Sequence, residues 1–219
     1  HAQDSGVFIR SLASRGALGG LAEAVDDAVY VLDAMGKDVI LVETVGTGQS
    51  EVDIMNNSHT VVLLLTPGLG DEVQTIKAGI MEIADLFVIN KADQKGSSKL
   101  YQELQKLLEM SDFSNTGWKP PIMMLQNIQD SETFFSSMQE IKEKIDEHYQ
   151  VLLEKGLLER REKRKAMVKL RTCLQKVVLA PMMQELHDSG RIDSMLEQLV
   201  CKRTDPYTLA EDIYAQYKD

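Results

Sequence analysis

Aromatic residues are scarce: one Trp, six Tyr and five Phe make up 5% of 219 residues. A core with so few rings must rest on Leu, Ile, Val, Met and Ala, and a hydrophobic content of 43% supplies them. Cysteine is scarcer still. Cys173 and Cys201 stand far apart without metal-ligand company, which excludes a disulfide-dense scaffold and a cysteine-rich zinc site. We read both as reduced core thiols of an intracellular protein, with a disulfide as the alternative. No apolar run approaches the roughly 20 residues that span a bilayer. The longest, residues 60–66, has the length of a buried strand. Basic charge is also in deficit, with 24 Lys and Arg against 34 Asp and Glu, a net charge of -10. That balance argues against a nonspecific grip on nucleic acid or anionic membranes. His1, His59, His148 and His187 show no metal spacing and are expected to be structural. The chain opens on His1 without a signal peptide, so it is expected to be processed, cropped or missing some upstream part.

What the sequence does contain is a regular alternation. FIRSLASRGALGGL reads as a short strand, a loop and a helix start. Leu21, Ala24, Val25, Ala28, Val29, Leu32 and Met35 follow at helical spacing, closed by Gly36 as a C-cap. Residues 39–42, 61–65 and 86–89 are continuous apolar runs. Runs without alternation suit strands covered on both faces, hence a parallel sheet. An amphipathic stretch over 71–84 reads as a crossover helix, 99–108 as a further helix and 121–125 as a further strand. This β-α-β order predicts a doubly wound α/β domain over residues 1–150. From Ser131 to about Val178 the sequence is almost wholly helical, with dense charge interleaving in GLLERREKRKAMVKLR. Asp205-Pro206 breaks it before a last helix over 208–217. Residues 151–219 are therefore expected to form a helical packing or dimerising appendage.

Asn90-Lys91-Ala92-Asp93 follows directly on the apolar run 86–89. The carboxyl end of a parallel strand is where open α/β sheets bind ligands. An ionised Asp93 can accept hydrogen bonds from both N1–H and N2–H₂ of guanine, donors that adenine lacks on that edge. The stem of Lys91 can lie along the base plane, and Asn90 can tie the loop to neighbouring segments. The alternative is a chance N-K-x-D in a solvated loop. Residues 39–42 end in Glu43, then Thr44, Val45 and Gly46. In P-loop NTPases an acid here orients magnesium, and the glycine lets a backbone N–H approach the γ-phosphate. Glu43 is assigned that role, and residues 46–51, including Gln49, the role of a loop that senses the γ-phosphate. A strand-end acid that caps the next helix is the plainer reading. The G-x-x-x-x-G-K-[ST] phosphate loop occurs nowhere in these residues, and the Gly46–Ser50 stretch lacks its lysine and spacing.

With FIRSLASRGALGGLA, DVILVETVGTGQSEV, PGLGDEVQTIKAGIMEIADLFVINKAD, GWKPPI, EHYQVLLEKGLLERR and DPYTLAED in hand, the chain resembles the MeaB/ArgK-type GTPases associated with methylmalonyl-CoA mutase. The resemblance implies a P-loop NTPase-type, mostly parallel sheet flanked by helices, with a C-terminal helical dimerisation extension. It implies binding of GTP and GDP with Mg²⁺, and GTP hydrolysis that assists an adenosylcobalamin-dependent acyl-CoA mutase. It also implies a homodimer, in the cytoplasm or in the mitochondrial matrix of a eukaryote, with its phosphate loop upstream of this sequence. Residue by residue, Asp4 corresponds to an acid on the magnesium and switch side, Glu43 to the magnesium-site acid, and Lys77 falls in a mobile segment linked to mutase-stimulated hydrolysis. With Gln49 of the 46–51 loop, Glu43 and Lys77 make up the expected catalytic set. Asn90, Lys91 and Asp93 correspond to the guanine-reading set, to which the reading of the residues adds Gly46 as a nucleotide contact.

One stretch departs from the family pattern. A Ser-Ala type turn is expected after the strand 121–125, but Gln126-Asn127-Ile128-Gln129-Asp130 stands there, which leaves guanine selection resting more heavily on Asp93. Lys77 reads equally well as a solvated helix lysine, and Asp71 and Glu72 as charges that favour a helix N-terminus. Two other functions stay open. One is a non-enzymatic interaction and dimerisation module. The other is a related GTPase for nickel or another metal cofactor, which the lack of His- or Cys-rich tracts disfavours.

Overall fold

The computed structural model describes residues 4, 6–12, 20–44, 58–68, 83–114, 116–126 and 130–217. The chain divides into two compact units, His1–Glu162 and Lys163–Asp219.

The first unit holds a parallel sheet of β1 (Val62–Leu65), β2 (Leu86–Ile89) and β3 (Ile122–Met124), in that spatial order. Val62 pairs with Leu86, and Phe87 with Ile122. All four residues of β2 are buried, as a central parallel strand requires. Their period of two splits the core. Phe87 and Ile89 pack with Leu100, Leu104 and Leu108 of helix α2 (Ser97–Glu109). Val88 packs with Leu125 and with Ile141 of α3 (Ser131–Glu154). The α/β class, these three strands and these helices agree with the reading of the sequence. Helix α1 (Gly20–Ala34) ends as expected: Gly36 N–H donates to the Asp33 carbonyl at 2.8 Å.

Two expectations are corrected. Residues 39–42 form no ladder with any described strand, and Val39 and Leu41 are 75% and 88% exposed. An apolar run becomes a strand only when a neighbour takes its backbone groups, and no described segment does so here. Cys173 and Cys201 are free thiols, as expected, but both are exposed rather than in the core. Cys173 lies on helix α4 (Leu157–Leu174), which buries none of its residues. The expected crossover helix lies outside the described residues, apart from positions 83 and 84.

The helical run that starts at Ser131 is interrupted at Lys155 and Gly156, then continues as α4. In the second unit, Gln175–Leu179 widens into a π turn in which Ala180 N–H donates to the Gln175 carbonyl. Pro181 supplies the reason. It has no N–H, and its ring would strike the carbonyl four residues earlier in a regular helix. Helices α5 (Ala180–Asp188), α6 (Arg191–Val200) and α7 (Pro206–Gln216) follow. Asp205 caps α7 by accepting from the Tyr207 and Thr208 amides, with Pro206 in the first turn. Leu186 is buried, and Tyr217 donates from its hydroxyl to Glu185 at 2.6 Å. No helix among the described residues is long and apolar enough to cross a membrane.

Candidate functional site

The Asn90–Asp93 loop leaves the carboxyl end of β2 and is tied to both neighbouring strands. Asn90 N–H donates to the Leu65 carbonyl of β1 at 2.7 Å, and Ala92 N–H to the Leu125 carbonyl after β3 at 3.0 Å. The loop also braces itself. Asn90 Oδ1 accepts from Lys91 N–H at 2.8 Å, and Gln94 N–H closes a turn on the Lys91 carbonyl at 2.9 Å. Lys91 holds φ at +54°, a conformation that few residues other than glycine adopt and that persists only where surroundings impose it. The result is a fixed loop with Asn90 half-buried and Lys91 and Asp93 exposed. Among the described residues, no hydrogen bond or ion pair occupies the Asp93 carboxylate. It is therefore free to accept from a ligand at the edge where open α/β sheets bind one.

The other expected site residues are less gathered. Glu43 is exposed near the end of the run 38–44, which pairs with no described strand. Asp4 accepts from Gly6 N–H at 2.9 Å, and Lys37 Nζ fastens the same turn by donating to the Gly6 carbonyl at 2.9 Å. No hydrogen bond or ion pair among the described residues links Asp4 or Glu43 to the 90–93 loop. Gly46, Gln49 and Lys77 lie outside the described residues. The donor chemistry nonetheless fits magnesium, which takes one or two carboxylates alongside phosphate oxygens rather than an all-protein cage. No cluster of three or more His, Cys, Asp or Glu that could hold a metal stands among the described residues. In the departing segment, Asp130 is the N-cap of α3, accepting from the Thr133 amide and, at 2.7 Å, from its hydroxyl.

A cavity of about 450 Å³ lies elsewhere, lined by Asp85, Ser111, Asp112, Phe113, Trp118 and Arg161 among others. It opens near the amino end of β2, the edge opposite Asp93. Ligands of open α/β sheets bind beyond the carboxyl ends of the strands, the edge of the 90–93 loop rather than of this cavity. The sequence reading missed the group beside this cavity. Asp85 is buried and bonded to Arg161, to the Val61 amide and to His148. Burial opposes ionisation of Asp85, but hydrogen bonds and charge from His148 and Arg161 outweigh it and hold its carboxyl below the usual range. Only an acid directly before an apolar strand hinted at this group. His148 and Arg161 come from distant helices.

The family described as methylmalonyl-CoA mutase-associated GTPase MeaB matches residues 1–187. A Pyrococcus horikoshii protein, provisionally named a GTPase, is 46% identical over 213 residues, 96% of this chain and 65% of that protein. A Pyrococcus abyssi protein with the same kind of name is 43% identical over 215 residues, 97% of this chain and 64% of its own length. The chain thus spans just under two thirds of these relatives. The mitochondrial methylmalonic aciduria type A homolog of Caenorhabditis elegans is 36% identical over 157 residues, 70% of this chain and 38% of that protein. With the 90–93 loop at the carboxyl edge of a parallel sheet and a match over residues 1–187, the chain belongs to the methylmalonyl-CoA mutase-associated GTPase family.

Proposed function

We propose that the complete protein binds GTP and hydrolyses it as an auxiliary of an adenosylcobalamin-dependent acyl-CoA mutase. The observation that carries this reading is the braced 90–93 loop, which holds an uncommitted Asp93 carboxylate beyond the strand ends. Asp93 accepts from the N1–H and N2–H₂ edge of guanine, and the Lys91 stem covers the base plane. Asn90 keeps the loop in shape through its bond to Lys91. Asp4 and Glu43 supply hard oxygen donors on the metal side. Magnesium, when bound, neutralises charge on the phosphate oxygens. Gly46 and Gln49 belong to the loop that senses the γ-phosphate, and Lys77 to a segment through which the mutase speeds hydrolysis. The protein contributes positioning and electrostatics rather than a covalent intermediate.

These residues do not contain the phosphate-gripping signature, so the test uses the complete gene product. It is expected to bind GTP in preference to ATP and to hydrolyse it faster when a methylmalonyl-CoA mutase is added. Equal affinity for the two nucleotides overturns the reading. The missing signature favours a second reading for the 219 residues by themselves, as an interaction module. Retained mutase binding without hydrolysis is its mark. The helical region 151–219 is proposed to pair with a second copy.

A further inference from the structure

Asp85 stands directly before β2, and three groups converge on its carboxylate. Val61 N–H donates to Oδ2 at 2.9 Å. Arg161 grips both oxygens, Nη2 to Oδ1 at 2.9 Å and Nη1 to Oδ2 at 3.3 Å. His148 Nε2 lies 3.2 Å from Oδ1. On its other side, His148 Nδ1 lies 2.9 Å from the Thr60 hydroxyl. A neutral ring therefore carries its proton on Nε2 and accepts from Thr60 at Nδ1. Trp118 closes the group, donating from Nε1 to the Asp85 carbonyl at 2.8 Å with its rings 5.0 Å from His148.

The order Thr60, His148, Asp85 is that of a nucleophile relay. Two facts argue for a tether instead. Both Asp85 oxygens are already committed to Arg161, and His148 is 1% exposed. The tethered piece is the start of α4. Gly156, at φ +64°, separates it from α3, and glycine adopts that angle without the Cβ penalty. Leu157 and Leu158 are only half-buried. Polar attachments among the described residues include Arg161 to Asp85 and to the His59 carbonyl, and Glu162 to His59 Nε2 at 3.2 Å. Such a contact can open with little loss of apolar burial, whereas every residue of β2 is buried.

We propose that Asp85, His148 and Arg161 form a charge clasp, hinged at Gly156, that closes the start of α4 on the amino edge of the sheet and opens while the sheet stays folded. Trp118 is the chain's single tryptophan and shares a cavity with Asp85 and Arg161. Its quenching by acrylamide, a neutral probe, reads the opening directly. In the full chain, Arg161→Met is expected to raise the quenching constant by about two-fold or more, with far-ultraviolet circular dichroism unchanged, as local opening requires. Arg161→Lys is expected to restore part of the protection. In the unsubstituted protein, about 1 M salt, which shortens screening to roughly 3 Å, is expected to raise quenching as well. That salt response is expected to vanish in Arg161→Met, which a merely structural role would not produce. Unchanged quenching in a folded Arg161→Met protein overturns the clasp, as does a salt-insensitive unsubstituted protein.

Discussion

The backbone amide of Ala92 donates to the carbonyl of Leu125 at 3.0 Å, which joins the 90–93 loop to the end of β3. Loop and strand end are thereby held at one edge of the sheet. Changing Asp93 to Asn is expected to weaken GTP binding by about a hundred-fold, roughly 3 kcal/mol, because the amide keeps one acceptor oxygen, loses the charge and sets its NH₂ against a guanine donor. Xanthosine triphosphate, with a carbonyl in place of the 2-amino group, is expected to bind better to that variant. Titration calorimetry on the complete protein with three nucleotides checks both. An unaltered GTP-to-ATP ratio removes Asp93 from the site.

Leu104 is completely buried between α2 and the sheet. Leu104→Ala is expected to cost about 2–5 kcal/mol in urea unfolding, because the cavity adds to the lost transfer energy. Met110→Ala, at a side chain 86% exposed, is expected to stay within about 0.5 kcal/mol. Similar costs at the two positions would contradict the assigned core.

Acid should loosen the first unit through Asp85. Its folded-state carboxyl is held below its ordinary range, by hydrogen bonds and charge that outweigh burial. The stability it contributes is therefore fully present above its unfolded value, about 3.9, and is lost as pH falls through the lower folded value. Among the described residues, the titratable groups nearby include His148 of α3, Arg161 and Glu162 of α4, His59 before β1, and Asp112, which lines the same cavity. Asp85→Asn is expected to flatten the acid limb of a stability profile below about pH 4. An acid limb of unchanged steepness would assign that loss to other carboxylates.

Gly117 sits at φ +61°, and a Cβ there would collide with Lys155 Nζ. Lys155 donates to the Thr116 and Gly117 carbonyls at 3.2 and 3.0 Å. Gly117→Ala is expected to destabilise by roughly 1–2 kcal/mol through backbone strain, and further by displacing Lys155. In a Lys155→Met background only the backbone part should remain. A double-mutant cycle measures the difference, and zero coupling would place Lys155 elsewhere in solution.

Met167, Leu170 and Leu174 are each more than half exposed and lie three and four residues apart on α4. That spacing sets them on one helix face. If the helical region pairs with a second copy through it, Leu170→Glu is expected to shift the protein to monomer in sedimentation velocity. An unaffected dimer would move the interface elsewhere, and a monomeric unsubstituted protein would remove it.

Much of the first unit was legible because burial leaves a mark in composition. Residues 86–89 are uniformly apolar and are buried throughout, and Asn90 to Asp93 stand directly after them. Residues 39–42 carry the same mark without forming a ladder with any described strand. A strand's pairing is supplied by another segment, and composition does not name it. The exposed thiols failed for a related reason: Cys173 lies on a helix with no buried face.

The sequence alone determined which residues could read a guanine edge, because the required donors and acceptors are properties of side chains in a short run. It also determined the alternation of strand and helix, which depends on local periodicity and on Pro and Gly. Tertiary structure decided that Asp85, His148 and Arg161 would meet. They are 63 and 76 residues from Asp85 along the chain, and no local pattern encodes so distant a neighbour. It also decided that Lys91 would be held at positive φ, since only the anchors to β1 and β3 impose that angle on a residue with a side chain.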